Sequence, residues 1–77
     1  MNKYTATFHS HFGAVLYREA LKKQGIEAKL MPTPRRVSSS CGTCVCYEHV
    51  SAVDLEDCEL DGVYLEVGGA LDCVVKK

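Results

Sequence analysis

The run Ser38-Ser39-Ser40-Cys41-Gly42-Thr43-Cys44-Val45-Cys46 places three of the chain's five cysteines between positions 41 and 46, directly behind the pair Arg35-Arg36. Thiols this close to fixed positive charge point to sulfur chemistry. A cysteine reacts as its thiolate, and a neighbouring guanidinium or exposed backbone N–H groups lower its pKa from about 8.5. Cys41, behind three serines and before a glycine, reads as a reactive thiol in an exposed turn rather than as a small buried hydrophobe. Cys41 and Cys44 also stand at a spacing that closes a disulfide when a turn brings their β-carbons together. Redox motifs of that spacing sit at a helix start, whereas this one precedes a strand. A resolving role for Cys44 beside Cys41 therefore fits better than a full oxidoreductase.

The rival chemistry is a structural zinc site. Cys41, Cys44 and Cys46 with one of His9, His11, Cys58 or Cys73 would supply four N/S ligands, and such a site would help a small core. The spacing argues against it, because zinc ribbons and knuckles use two separated ligand pairs, while here three cysteines crowd one segment. His9 and His11 read as solvated histidines at a strand-to-helix junction, and Cys58 and Cys73 as packing residues. Arg35 and Arg36 read equally as solvated loop charges or as partners of a sulfur anion.

The elements that must position these residues are partly legible. Tyr4, Ala6 and Phe8 alternate with Thr5 and Thr7, the two-residue period of a half-buried strand. Ser10 is placed to cap a helix over 11–24, with Phe12, Leu16, Tyr17, Ala20 and Leu21 on one half of its circumference and Arg18, Glu19 and Lys22 on the other. Gly25 supplies a left-handed stop, and Lys22 and Lys23 complement the negative end of the helix dipole. Ile26, Ala28 and Leu30 alternate in a second strand, ended by Pro32-Thr33-Pro34. Strand, helix, strand predicts two parallel neighbours joined right-handedly, with the cysteine segment leaving the end of the second. Residues 44–49 then alternate as a third strand, Val45 and Tyr47 on one face and Cys44 and Cys46 on the other. Residues 51–58 read as a short second helix with acidic early turns or, being so short, as an irregular connection. A further strand follows an Asp61-Gly62 turn, and after Gly68-Gly69 residues 68–77 form an edge strand or a tail.

At 77 residues the chain is a single domain, 1–77, and a domain of this size buries only about 60% of the surface its unfolded chain exposes. Hydrophobic residues at 47% and charged residues at 25% suit a globular protein rather than a disordered one. A net charge of -1 provides no field for gripping nucleic acid or an anionic membrane. The first residues lack the apolar stretch of a secretory signal and no apolar run approaches a membrane span, so a cytoplasmic location is expected. Five cysteines cannot all pair within one chain, and thiols stay reduced in that compartment, which argues against a disulfide framework.

The order of elements, Gly25-Ile26, and above all Met31-Pro32-Thr33-Pro34-Arg35-Arg36-Val37-Ser38-Ser39-Ser40-Cys41-Gly42 resemble the small bacterial selenium/sulfur carrier-like proteins, over about residues 4–47. The resemblance implies a small α/β (α+β) sandwich, β-α-β-β-(α)-β, ferredoxin-like with a shortened second helix. It implies a thiol, Cys41, that holds sulfur or selenium as a persulfide or selenopersulfide, with Gly42 as the adjoining turn residue and Arg35, Arg36 and Ser40 around the cargo. The implied partners are a desulfurase-type donor and an acceptor protein. Cys44 and Cys46 go beyond the single cysteine of that motif, and the segment 51–77 is poorer in helix signal than the family's. The expected protein is a carrier with no cofactor rather than a self-sufficient enzyme, since no general base, phosphate loop or cofactor fingerprint stands beside the cysteines. Exposed strand edges make a homodimer feasible. The alternatives are the zinc site or a thiol-redox or interaction module built on Cys41, Cys44 and Cys46, since fold does not dictate function.

Overall fold

The structure is a computed structural model, and it describes residues 2–33, 42–55 and 58–77. Its elements run β1 (Asn2–Phe8), α1 (His11–Lys23), β2 (Ala28–Pro32), β3 (Thr43–His49), β4 (Leu60–Val67) and β5 (Ala70–Lys76). This is a small α+β domain in which one helix packs on a five-stranded, wholly antiparallel sheet of order β2-β3-β1-β4-β5.

Local chemistry sets the helix ends. Ser10 adopts extended backbone and its hydroxyl accepts the Gly13 N–H at 3.2 Å, satisfying one orphan donor of the first turn. At the other end Gly25, at φ 78°, lets Ile26 N–H reach the Leu21 carbonyl (2.9 Å) and its own N–H reach Lys22 (3.0 Å). That paired closure is the Schellman stop that glycine makes inexpensive.

The buried stripe of α1 is Gly13, Ala14, Tyr17 and Leu21, with Phe12 65% exposed and Leu16 37% exposed. The expected apolar half, which ran from Phe12 through Leu16 and Ala20 to Tyr17 and Leu21, is therefore rotated toward its Tyr17 and Leu21 side. The reason lies at Gly13, where a β-carbon would overlap the Cys58 carbonyl oxygen, so the helix turns its smallest residue toward the chain entering β4.

Between helix and sheet lies one core, built from Tyr4, Ala6, Phe8, Ala14, Tyr17, Leu21, Ile26, Val45, Tyr47, Cys58, Leu60 and Val63. The period-2 patterns of β1 and β3 supply its sheet side as expected.

Three expectations are corrected. β1 and β2 run in the same direction but are not neighbours, because β3 pairs with both and lies between them. No second helix forms over the described residues of 51–58. There the Tyr17 hydroxyl donates to the Val53 carbonyl at 2.6 Å, taking an acceptor that a helix over 51–58 would use, and the Val53 N–H donates to the Tyr47 hydroxyl at 3.0 Å. Asp61 and Gly62 lie inside β4 instead of forming a turn. The chain turns at Gly68-Gly69, with φ 54° and 84°, and β5 is a full edge strand. Positive φ at both central residues is what a two-residue hairpin loop needs to match strand twist.

Candidate functional site

Cys41, Arg35, Arg36 and Ser40 lie outside the described residues. The residues on either side of that segment are held together. Pro32 pairs with Thr43, and the Thr33 N–H donates to the Gly42 carbonyl at 2.9 Å; among the described residues no atom lies within 4 Å of where a β-carbon on Gly42 would sit. α1 begins at the same end of the sheet, where His11 Nδ1 sits 3.1 Å from Thr43 Oγ1. His9 instead turns toward β4, 3.7 Å from Asp61, which also faces Lys76 at 3.6 Å. The positive end of α1 is already occupied. The Glu59 carboxylate accepts the Ser10 hydroxyl at 2.8 Å and supplies from across the chain the negative charge that the first helical turn lacks. Glu59 holds a left-handed φ of 53° in doing so.

β3 carries the described cysteines of the cluster. Its alternation turns Thr43, Val45 and Tyr47 toward the helix, and Cys44 and Cys46 toward the opposite, open face. Cys44 is fully buried, its register partners being Thr7 and Met31, and its thiol faces the Pro32 carbonyl at 3.6 Å. Cys46 is only partly buried, between Thr5 of β1 and Lys29 of β2. Its pKa is lowered to about 6, first by a hydrogen bond from the Cys44 thiol, against the cost of burial, then by the Thr5 hydroxyl, whose oxygen is 3.8 Å from the sulfur, and against the Glu66 carboxylate. Cys44 has one proton for two acceptors. In the structure the thiol faces the Pro32 carbonyl, and an ionised Cys46 would be the stronger acceptor, because a hydrogen bond to an ionised acceptor is roughly twice as strong as a neutral one.

The other cysteines are kept apart from this pair. Cys58 belongs to the core on the helix side of the sheet. Cys73 pairs with Tyr64, in the same cross-sheet row as Cys46, with Thr5 and Tyr64 between them, hence roughly 14 Å away at the usual strand spacing. Among the described residues no group of three His, Cys, Asp or Glu side chains could hold a metal ion. Cys58, on the helix side, and Cys73, three strands across the sheet, thus stand apart from the Cys44 and Cys46 of the zinc set that the sequence admitted. No helix of the described residues is long and apolar enough to cross a membrane.

Cys46 entered the sequence reading as a metal ligand or as part of a thiol-redox or interaction module, and its acidity was missed. The alternation Cys44-Val45-Cys46 was the available signal for a same-face thiol pair. Its polar neighbours Thr5 and Lys29 come from strands whose register the sequence does not state.

The family model described as "Putative Se/S carrier protein-like" matches residues 3–61, from β1 into β4. No curated protein and no solved structure matches the chain.

Proposed function

The chain belongs to the Se/S carrier protein-like family, and from that premise we propose that it carries sulfur or selenium as a persulfide or selenopersulfide on Cys41. The observation that carries this reading is the family match, which spans the Pro32–Gly42 motif and Cys41 itself. Support comes from the described flanks, since β2 and β3 hold both sides of the motif at one end of the sheet. In this reading Arg35, Arg36 and Ser40 surround the cargo anion and Gly42 leaves it room. Two guanidinium groups suit a persulfide, which is more acidic than a thiol and is held best by charge-assisted hydrogen bonds.

Cys44 is the resolving thiol. Its thiolate attacks the inner sulfur of Cys41, a Cys41–Cys44 disulfide forms, and the cargo leaves as hydrosulfide or hydroselenide. A thiol reductant then restores both cysteines. Because Cys44 is fully buried, release requires the first residues of β3 to open. The partners are a desulfurase-type donor and an acceptor protein in the cytoplasm, and the protein works as a carrier, not a self-sufficient enzyme. The same reading takes β1 to β4 as a ferredoxin-like arrangement without its second helix, supported by the order β2-β3-β1-β4. It leaves β2 and β5 as edges on which a homodimer would form.

Intact mass spectrometry after incubation with a cysteine desulfurase and cysteine or selenocysteine tests the assignment. Wild-type protein gains one chalcogen atom that is lost in Cys41→Ser. A wild-type Cys41 peptide that carries no chalcogen removes Cys41 as the carrier thiol. For the resolving role, Cys44→Ser releases its cargo more slowly than wild type when no external thiol is present, and an equal rate excludes it.

A further inference from the structure

The open face of the sheet carries a thiol for which the carrier reading has no use. Cys46 stands at the middle of β3, on the face away from the helix, with its sulfur 3.8 Å from the Thr5 hydroxyl oxygen and with Cys44 two residues earlier on the same face of the strand. It borders a depression of about 640 Å³ whose lining includes Lys3, Thr5, Lys29, Cys46, Glu48 and Glu66. Cys44, by contrast, is sealed from solvent. One sulfur of the pair is therefore open to a reactant, and the other is placed to tune it.

We propose that Cys46 is a second sulfane-sulfur acceptor, loaded from a small zwitterionic persulfide of the cysteine persulfide class, with Cys44 as a positioning residue that donates a hydrogen bond to the reacting sulfur. The choice of cargo rests on the carrier reading; the site itself rests on β3 and its neighbours. Two lysines, Lys3 and Lys29, and three glutamates, Glu27, Glu48 and Glu66, in one depression provide partners for both the carboxylate and the ammonium of an amino-acid persulfide.

The transfer balances without an outside oxidant. The Cys46 thiolate attacks the terminal sulfur of the donor R–S–SH, a new S–S bond forms at Cys46, and the donor's S–S bond breaks with its electron pair leaving on R–S⁻. The terminal hydrogen travels with the transferred sulfur, and the products are Cys46–S–SH and the donor thiolate. The thiolate required is present at neutral pH, since Cys44 and Thr5 favour it by more than burial and Glu66 oppose it. The other acidic and basic groups lining the depression are Lys3 of β1, Glu27 and Lys29 at β2, and Glu48 and His49 of β3, and Asp61 with Lys76 lies further along the same face beside Thr7.

Protein carrying Cys41→Ser and Cys73→Ser is treated with cysteine persulfide and read by intact mass and peptide mapping, with circular dichroism confirming the fold. Alanine replaces serine at position 41 if the first version does not fold. The expected result is a gain of one sulfur on the Cys46 peptide, abolished by adding Cys46→Ser. Absence of that gain overturns the proposal. Cys46→Ser/Cys73→Ser protein separates this failure from failure of the carrier reading. Loading there, with none at Cys46, leaves Cys41 standing and removes this site; loading at Cys46, with none there, does the reverse. The positioning role is read from the pH profile of Cys46 alkylation by iodoacetamide. Its midpoint, near about 6, moves up toward the ordinary thiol range in Cys44→Ala and stays low in Cys44→Ser, which keeps a donor. An unmoved midpoint in Cys44→Ala removes the role assigned to Cys44.

Discussion

Tyr17 and Tyr47 show how much single side chains decide in a chain this small. Their rings pack with Phe8 and Tyr4, with centroids 5.1 Å apart for Phe8 and Tyr17 and 5.4 Å for Tyr4 and Tyr47. Their hydroxyls lie 3.0 Å from each other, and both hold Val53. The aromatic positions were legible as helix-face and strand-face residues, but nothing local to either tyrosine names Val53 as a partner. Tyr17→Phe keeps the ring and strands the Val53 carbonyl. A buried acceptor left without its donor costs about 1–3 kcal/mol, so the urea midpoint falls by that equivalent. An unchanged midpoint would mean that the 50–55 segment is not held by this bond.

At the scale of elements, α1 is set by residues that do local and distant work together. Ser10 caps the first turn and donates to Glu59, so Ser10→Ala loses about 1 kcal/mol for the cap alone. Gly13→Ala separates intrinsic propensity from packing. Alanine in a helix is better than glycine by about 1 kcal/mol, yet here its methyl meets the Cys58 carbonyl, and overpacking of that kind costs about 1–3 kcal/mol. The variant is expected to be less stable by equilibrium unfolding, with unchanged helix content by circular dichroism. A more stable variant would show that the helix start shifts freely over β4. The ends of this helix were readable because capping acts within a few residues. Its buried face was not, since the close approach of Gly13 to Cys58 depends on how the chain enters β4.

The whole molecule responds to pH through groups whose surroundings only the fold creates. The folded state raises the pKa of Tyr17 and Tyr47, chiefly by burial. It therefore holds protons that the unfolded chain releases above about pH 10, and stability falls there by about 1.4 kcal/mol per pH unit for each tyrosine concerned. Cys46 acts with the opposite sign. With its pKa lowered to about 6, the folded state has fewer protons than the unfolded chain between there and the ordinary thiol value of about 8.5, so stability rises with pH across that window. Partial exposure of Cys46 reduces the size of the rise. Urea unfolding from pH 6 to 11 is expected to rise toward about pH 8.5 and fall above about 10. Cys46→Ser removes the first limb and keeps the second. A rise that persists in Cys46→Ser assigns it to another group.

From the sequence alone followed whatever is settled within a few residues of chain. Ser10 and Gly25 bound the helix, alternation marks β1 and β3 and puts Cys44 and Cys46 on one face, and Gly68-Gly69 turns the last hairpin. The motif around Cys41 marked the family for the same reason, because its spacing is written in consecutive positions. Tertiary structure alone inserted β3 between β1 and β2, drew Asp61 and Gly62 into β4, and laid residues 51–55 over the tyrosines instead of coiling them. It alone set Cys46 beside Thr5, forty-one positions away, which adds to the lowering of the Cys46 pKa that its strand neighbour Cys44 chiefly causes. Strand order and register are fixed by burial and hydrogen bonding between distant segments, and a one-residue change in either moves every side chain to the other face.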